Sequence, residues 1–170
     1  MSDTTGPAAA VLDVWCDLQC PDCHRVQPVL AALRQRFGEA LRIRLRHFPL
    51  AKHGHAVAAA EAAEEAYAQG RGDDFAAAVL ARCGELAEQG PPVLLEVARD
   101  LGLDAGEIDT ALFDGRHLLA VDADHAEGQA LGVRGTPTFL IGSTLLDASR
   151  DQDGLLERLT ALVEKELPAA

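Results

Sequence analysis

Three cysteines fall within one short stretch, Cys16-Asp17-Leu18-Gln19-Cys20-Pro21-Asp22-Cys23-His24. Two residues separate Cys20 from Cys23, and Pro21 suits the first position of a helix. A thiol at such a helix start meets unpaired N–H groups and the positive end of the helix dipole. Both favour its thiolate, the nucleophile of disulfide exchange. A second thiol one turn inside can attack the resulting mixed disulfide and release the partner. The spacing therefore makes Cys20 the candidate nucleophile and Cys23 the candidate resolving thiol. Asp22 and His24 share the turn and are candidates for tuning the Cys20 pKa: a carboxylate there disfavours the thiolate, and a protonated imidazole favours it. An unperturbed imidazole is mostly neutral at about pH 7, so Asp22 dominates and points to a comparatively reducing couple.

The same letters allow other chemistry. Cys20-x-x-Cys23-His24 is the pattern of c-type haem attachment, but a distal ligand is usually needed and the one methionine is Met1. Cys16, Cys20 and Cys23 also have the spacing of the iron–sulfur cluster in radical enzymes that use S-adenosylmethionine, which need a long series of βα units. Cys16, Cys20, Cys23 and His24 together could hold zinc or copper, since thiolate and imidazole suit both metals. A helix that exposes Cys20 directs Cys23 inward, which opposes convergence of all four. A redox-sensing or metal-binding module built on Cys16, Cys20 and Cys23 stands as the alternative to an exchange enzyme. Cys16 is expected to be a thiol buried beneath the active-site loop. Cys83 lies on the apolar stripe Phe75, Val79, Cys83, Leu86 and reads as an inert core thiol.

The elements that must position this chemistry are legible from periodicity. Residues 8–15 read as a short apolar strand, and a helix is expected from Pro21 through about Phe37, with Gly38 past its end. Residues 41–48 alternate strictly, Leu41, Ile43 and Leu45 against Arg42, Arg44 and Arg46, which is a strand with one wet or ion-paired face. Strand, helix and strand with short joins make a parallel, right-handed βαβ unit. Ala-rich helices follow over about 53–69, 73–88, 92–101, 105–113 and 116–131. Strands return at 138–141 and 144–147 around a Gly142-Ser143 turn, and a last helix runs from about 152 to 167. Trp15 is expected to pack under the active-site helix, and His53 and His55 to serve capping or surface roles.

Composition narrows the function. Fifteen Lys and Arg against 27 Asp and Glu give a formal charge of −12, which argues against a nucleic-acid binder. Ala (31) and Leu (25) dominate, as befits a helix-rich globular chain. No run of 18 apolar residues exists, so no membrane span is expected. Met1 to Pro7 has no basic residue and no apolar core, from which a cytoplasmic location is expected. Four cysteines in such a compartment point to chemistry rather than structural disulfides. Arg42, Arg44 and Arg46 could bind an anion such as glutathione, but pairing with the acidic stretch 96–128 is the simpler expectation.

A second motif, Gly132-Val133-Arg134-Gly135-Thr136-Pro137-Thr138-Phe139, places a proline at the start of a strand, where it costs a ladder hydrogen bond. With the dithiol it resembles the thioredoxin superfamily, in particular its DsbA-like branch. The Asp17-to-Cys23 segment, Arg46-His47-Phe48-Pro49-Leu50, the helix ending at Gln69-Gly70 and the Gly135-to-Phe139 segment match in order over roughly residues 9–167. The resemblance implies an α/β, thioredoxin-like fold: a core from 8–50 and 128–170 with a helical insertion at 51–127. It implies a thiol–disulfide oxidoreductase acting on protein or small-molecule thiols and disulfides, glutathione among the candidates, with no cofactor beyond the cysteines. It also implies that a cis bond joins Thr136 to Pro137 and that this pair shapes the substrate groove beside Cys20. The reductase or isomerase direction is expected. Two positions depart from the pattern. Val14 stands where relatives often carry a buried acid, with Asp13 one place off and facing the other way, and Cys16 stands where they commonly have a small residue.

Overall fold

The computed structural model describes residues 10–168, so residues 8 and 9 of the expected first strand lie outside it. β1 (Ala10–Cys16) is followed by α1 (Pro21–Arg25), α2 (Gln27–Phe37), a short 3-10 turn at Gly38–Ala40 and β2 (Leu41–His47). β1 and β2 run parallel, with Ala10 opposite Leu41 and Cys16 opposite His47. Six helices intervene before the sheet resumes: α3 (Ala56–Ala68), α4 (Gly72–Ala81), α5 (Cys83–Gln89), α6 (Pro92–Asp100), α7 (Ala105–Asp114) and α8 (Leu118–Leu131). β3 (Thr138–Ile141) pairs antiparallel with β1, β4 (Thr144–Asp147) pairs antiparallel with β3, and α9 (Leu155–Glu166) closes the described chain. The sheet order is β2-β1-β3-β4.

Two expected helices are each divided. The helix expected over 21–37 breaks at Val26, because Pro28 supplies no N–H to the preceding turn and its ring crowds the carbonyl four residues back. The helix expected over 73–88 ends at Ala81 and restarts at Cys83. The guanidinium of Arg82, at the break, holds Glu85 and Glu96 at 2.6 Å each and so ties α5 to α6.

Strand alternation assigns the two faces of β1. Leu12, Val14 and Cys16 join the larger apolar core with Cys20, Cys23, Leu30, Leu33 and Phe139. Trp15 does not lie under the active-site helix. It shares a face with Asp13 and packs with Phe48 and Val133 beneath α8, its indole N–H donating to the Asp124 carbonyl at 3.1 Å. The approach of α8 depends on Gly128: a Cβ there would sit 2.5 Å from Trp15 Nε1. On this face Asp13 takes Arg44 through two hydrogen bonds of 2.6 and 2.7 Å, and Arg46 binds Asp124 at 2.7 Å and also Glu127. Only Arg46 therefore pairs with the acidic stretch, while the partner of Arg44 comes from the neighbouring strand.

Candidate active site

The loop between β1 and α1 is held by one buried carboxylate. Asp17 accepts the Gln19 N–H at 2.8 Å through Oδ1, and through Oδ2 the Leu50 N–H at 2.8 Å and His53 Nδ1 at 2.7 Å. Gln19 extends the clamp by accepting the His55 N–H at 2.8 Å. The segment after β2 is thereby tied to the loop that presents the dithiol. The Cys20 N–H closes the turn onto the Asp17 carbonyl at 3.0 Å, and the Cys20 carbonyl receives the N–H groups of Cys23 and His24. Cys20 is thus the N-cap of α1, Pro21 opens the helix, and Cys23 lies one turn in.

All four cysteines are free thiols. Cys20 is 4% exposed and Cys23 fully buried. A hydrogen bond shared with Cys23, together with burial, pushes the Cys20 thiol up, while Thr136 opposes. Burial and a hydrogen bond with Cys16 push Cys23 up. Each thiol that ionises makes its neighbour harder to ionise, so the pair titrates as a unit. The Thr136 hydroxyl is buried with no hydrogen-bond partner among the described residues and is free to donate to a Cys20 thiolate. Asp22 is engaged by Arg25, and its carbonyl accepts from Gln152 Nε2 at 2.9 Å. His24 is exposed. Cys16 and Cys23 are buried while His24 faces solvent, and no group of three or more His, Cys, Asp or Glu among the described residues forms a metal site. The zinc or copper reading gains no geometric support.

The loop before β3 meets the dithiol. The Thr136–Pro137 peptide is cis, and the Thr136 carbonyl lies 3.8 Å from Cys20 Sγ. Cys20, Asp22 and Thr136 line a cleft of about 400 Å³ whose wall also carries Lys52, Arg134 and Arg150. These three cations were not among the candidates from sequence; Lys52 and Arg134 had a signal in their position beside the Pro49-Leu50 and Thr136-Pro137 segments, and Arg150, after β4, had none. Asp17 and His53 were likewise missed as a pair. Val14 leaves no carboxylate on the thiol face of β1, and Asp13 is consumed by Arg44 on the other.

Comparison with known proteins gives a consistent result. Residues 6–161 match a family model described as thioredoxin. The chain is 33% identical over 159 residues to the Na(+)/H(+) antiporter NhaA 1 of Salinispora arenicola, covering 92% of this chain and 24% of that protein. It is 33% identical over 165 residues to the antiporter NhaA of Nitrosospira multiformis, at 92% and 25% coverage. The chain therefore spans about a quarter of the length of the curated relatives it matches. No helix among the described residues is long and apolar enough to cross a membrane. Among solved structures it is similar to a thioredoxin-like oxidoreductase from Silicibacter pomeroyi, with a TM-score of 0.79, 26% identity, and 95% and 88% of the two chains covered. It is also similar to the thiol-disulfide exchange protein alpha-DsbA2 from Wolbachia pipientis, with a TM-score of 0.78, 20% identity, and 96% and 83% covered. The oxidoreductase DsbA from Xylella fastidiosa aligns with a TM-score of 0.74 at 21% identity, covering 95% and 89%. The fold is the thioredoxin-like one with an inserted helical region.

Proposed function

We propose, from the chain's membership of the thioredoxin family, that it is a DsbA-like thiol–disulfide oxidoreductase in which Cys20 and Cys23 carry the exchange, with reduction or isomerisation as its direction. The observation that carries the reading is the Cys20 thiol at the N-cap of α1, with Cys23 one turn inside and the Thr136–Pro137 loop against it. In the reductive direction the Cys20 thiolate attacks one sulfur of a substrate disulfide, forming a mixed disulfide and releasing the first substrate thiolate. Cys23 then attacks Cys20 Sγ, closing the Cys20–Cys23 bond and releasing the second. Two electrons pass from the dithiol to the substrate, and the two thiol protons leave with the products. Thr136 and Pro137 border the position a substrate backbone would take.

Direction follows thiolate stability. Whatever stabilises the reduced nucleophile makes the disulfide a stronger oxidant. Here the Cys23 hydrogen bond and burial work against the Cys20 thiolate, which supports a reducing couple. The cytoplasmic location expected from sequence belongs to the same proposal. Asp22 and His24 are proposed as tuning residues on either side of Cys23, Asp22 with its charge partly offset by Arg25. The antiporter activity named for the relatives is not carried to a chain spanning a quarter of their length. The test is equilibration with a glutathione redox buffer, read by intact mass, beside turnover of a disulfide substrate with a thiol reductant. A couple as oxidising as a dedicated oxidase would overturn the direction, and turnover that survives Cys20→Ser would overturn the assignment.

A further inference from the structure

In a chain of net charge −12, the cleft around Cys20 is the exception. Three of the fifteen basic residues, Lys52, Arg134 and Arg150, line it. All three are exposed, and none has an ionic partner among the described residues. The one acid in the wall, Asp22, is occupied by Arg25. Elsewhere Arg44, Arg46, Arg71, Arg82 and Arg116 each hold carboxylates, and the other cations without an ionic partner among the described residues, such as Arg42 and Arg99, lie outside this cleft. Lys52, Arg134 and Arg150 come from three loops, after β2, before β3 and after β4, and line the one cleft that also holds the Cys20 sulfur. An acidic protein repels anions in general, so a local cationic wall at the nucleophile selects for them there.

We propose that the disulfide exchanged at Cys20 carries carboxylates close to its sulfurs, as an acidic peptide or peptidic thiol does. The inference rests on the exchange reading above and names its substrate class. The carboxylates sit against Lys52, Arg134 and Arg150 while the substrate sulfur meets Cys20. The covalent step is the balanced two-stage exchange already described and needs no further reactant. The same cations do not serve a positively charged substrate, which they repel.

The experiment measures the rate at which reduced protein attacks three small disulfides at low salt: oxidised glutathione (anionic), bis(2-hydroxyethyl) disulfide (neutral) and cystamine (cationic). Because the cations also favour the Cys20 thiolate, the readout is each rate relative to the neutral disulfide. The triple variant Lys52→Gln/Arg134→Gln/Arg150→Gln is expected to lose about tenfold in the glutathione ratio and to gain in the cystamine ratio. Arg42→Gln, which removes an exposed cation of β2, leaves both ratios in place. About 1 M salt, where the screening length is about 3 Å, should erase the wild-type preference. Two peptide disulfides, with Glu or Lys flanking the cysteine, identify the source: preference for the Glu peptide as well points to acidic protein segments, and preference for glutathione alone to a small thiol. Ratios that the triple variant leaves unchanged would overturn the inference while exchange itself stands. Wild-type protein that attacks none of the disulfides would overturn the exchange reading, and this inference with it.

Discussion

The two faces of β1, one residue out of phase, are built for different ends. On one face Leu12, Val14 and Cys16 lead into an apolar core that reaches Cys20 and Cys23, and the polar atoms there are mostly thiols. On the other, Asp13 and Trp15 sit in a network in which Arg44 and Arg46 hold Asp13, Asp124 and Glu127, with Arg46 stacked 5.1 Å from the Trp15 ring. The first face buries its thiols close together, where burial and shared hydrogen bonds push Cys20 and Cys23 up. The second gives each of its carboxylates an arginine partner and clamps α8 to the sheet. Reactivity and rigidity are thus separated by the pleat of a single strand, which lets the dithiol change redox state without disturbing the support behind it.

That separation can be broken first at the thiols. Cys20→Ser is expected to abolish exchange, and Cys23→Ser to accumulate mixed disulfides by mass, with thermal unfolding of both variants close to that of the wild type. Equal trapping by both single variants would remove the division of labour. On the opposite face, Trp15→Ala is expected to cost about 3–5 kcal/mol of stability in denaturant unfolding, as large-to-small changes in a packed core do. The rate at which folded Cys20 is alkylated should stay within about twofold; a tenfold fall would mean that the faces are coupled.

Smaller effects sharpen the comparison. Asp13→Ala strands Arg44 and is expected to cost about 1–2 kcal/mol, the lower range for a charged hydrogen bond because Arg44 is partly exposed. Cys16→Ala removes the hydrogen bond that helps push Cys23 up. Cys23 should then ionise more readily and resolve a preformed mixed disulfide on the order of threefold faster, the gain in thiolate being partly offset by lower nucleophilicity. A slower resolution would make Cys16 an assistant rather than a brake. The smallest effect concerns a hydrogen bond on the thiol face, between His47 Nε2 and Glu64 at 2.8 Å. The His47 hydrogen bond holds the Glu64 carboxyl below its ordinary value of 4.5. Its contribution is therefore present above that pH and lost as pH falls through the lowered folded value. Unfolding midpoints between about pH 6 and 3 should fall more steeply in the wild type than in Glu64→Gln, by about 1 kcal/mol or less.

Much of this was legible along the chain, and the errors are instructive. The β1 and β2 strands, the β3–β4 hairpin and the placement of Cys20 before Pro21 follow from period-two alternation and local turn chemistry. The break at Val26 was also written in the sequence, since Pro28 cannot continue a regular helix from α1. Trp15 could have been assigned to the face opposite Cys16 by the same alternation that placed Asp13. The clamp of Asp17 on Leu50 and His53 had no local signal, because its partners belong to a loop on the far side of α2 and β2.

What the residues determined alone is what acts over a few positions: which segments become strands or helices, which thiol begins a helix, and which side chains share a strand face. Those outcomes depend on backbone hydrogen bonding and side-chain sterics, which reach about one helical turn. Only the tertiary structure decided which charges far apart in the chain are paired; neighbours such as Arg25 with Asp22 or Arg71 with Asp74 already sit one helical turn apart. Arg46 meets Asp124 and Glu127 because α8 lies on β2, while Lys52, Arg134 and Arg150 share one cleft because three separate loops border Cys20. Coulomb energy depends on distance in space and on the medium between charges. For residues on different elements, packing sets both, and spacing along the chain sets neither.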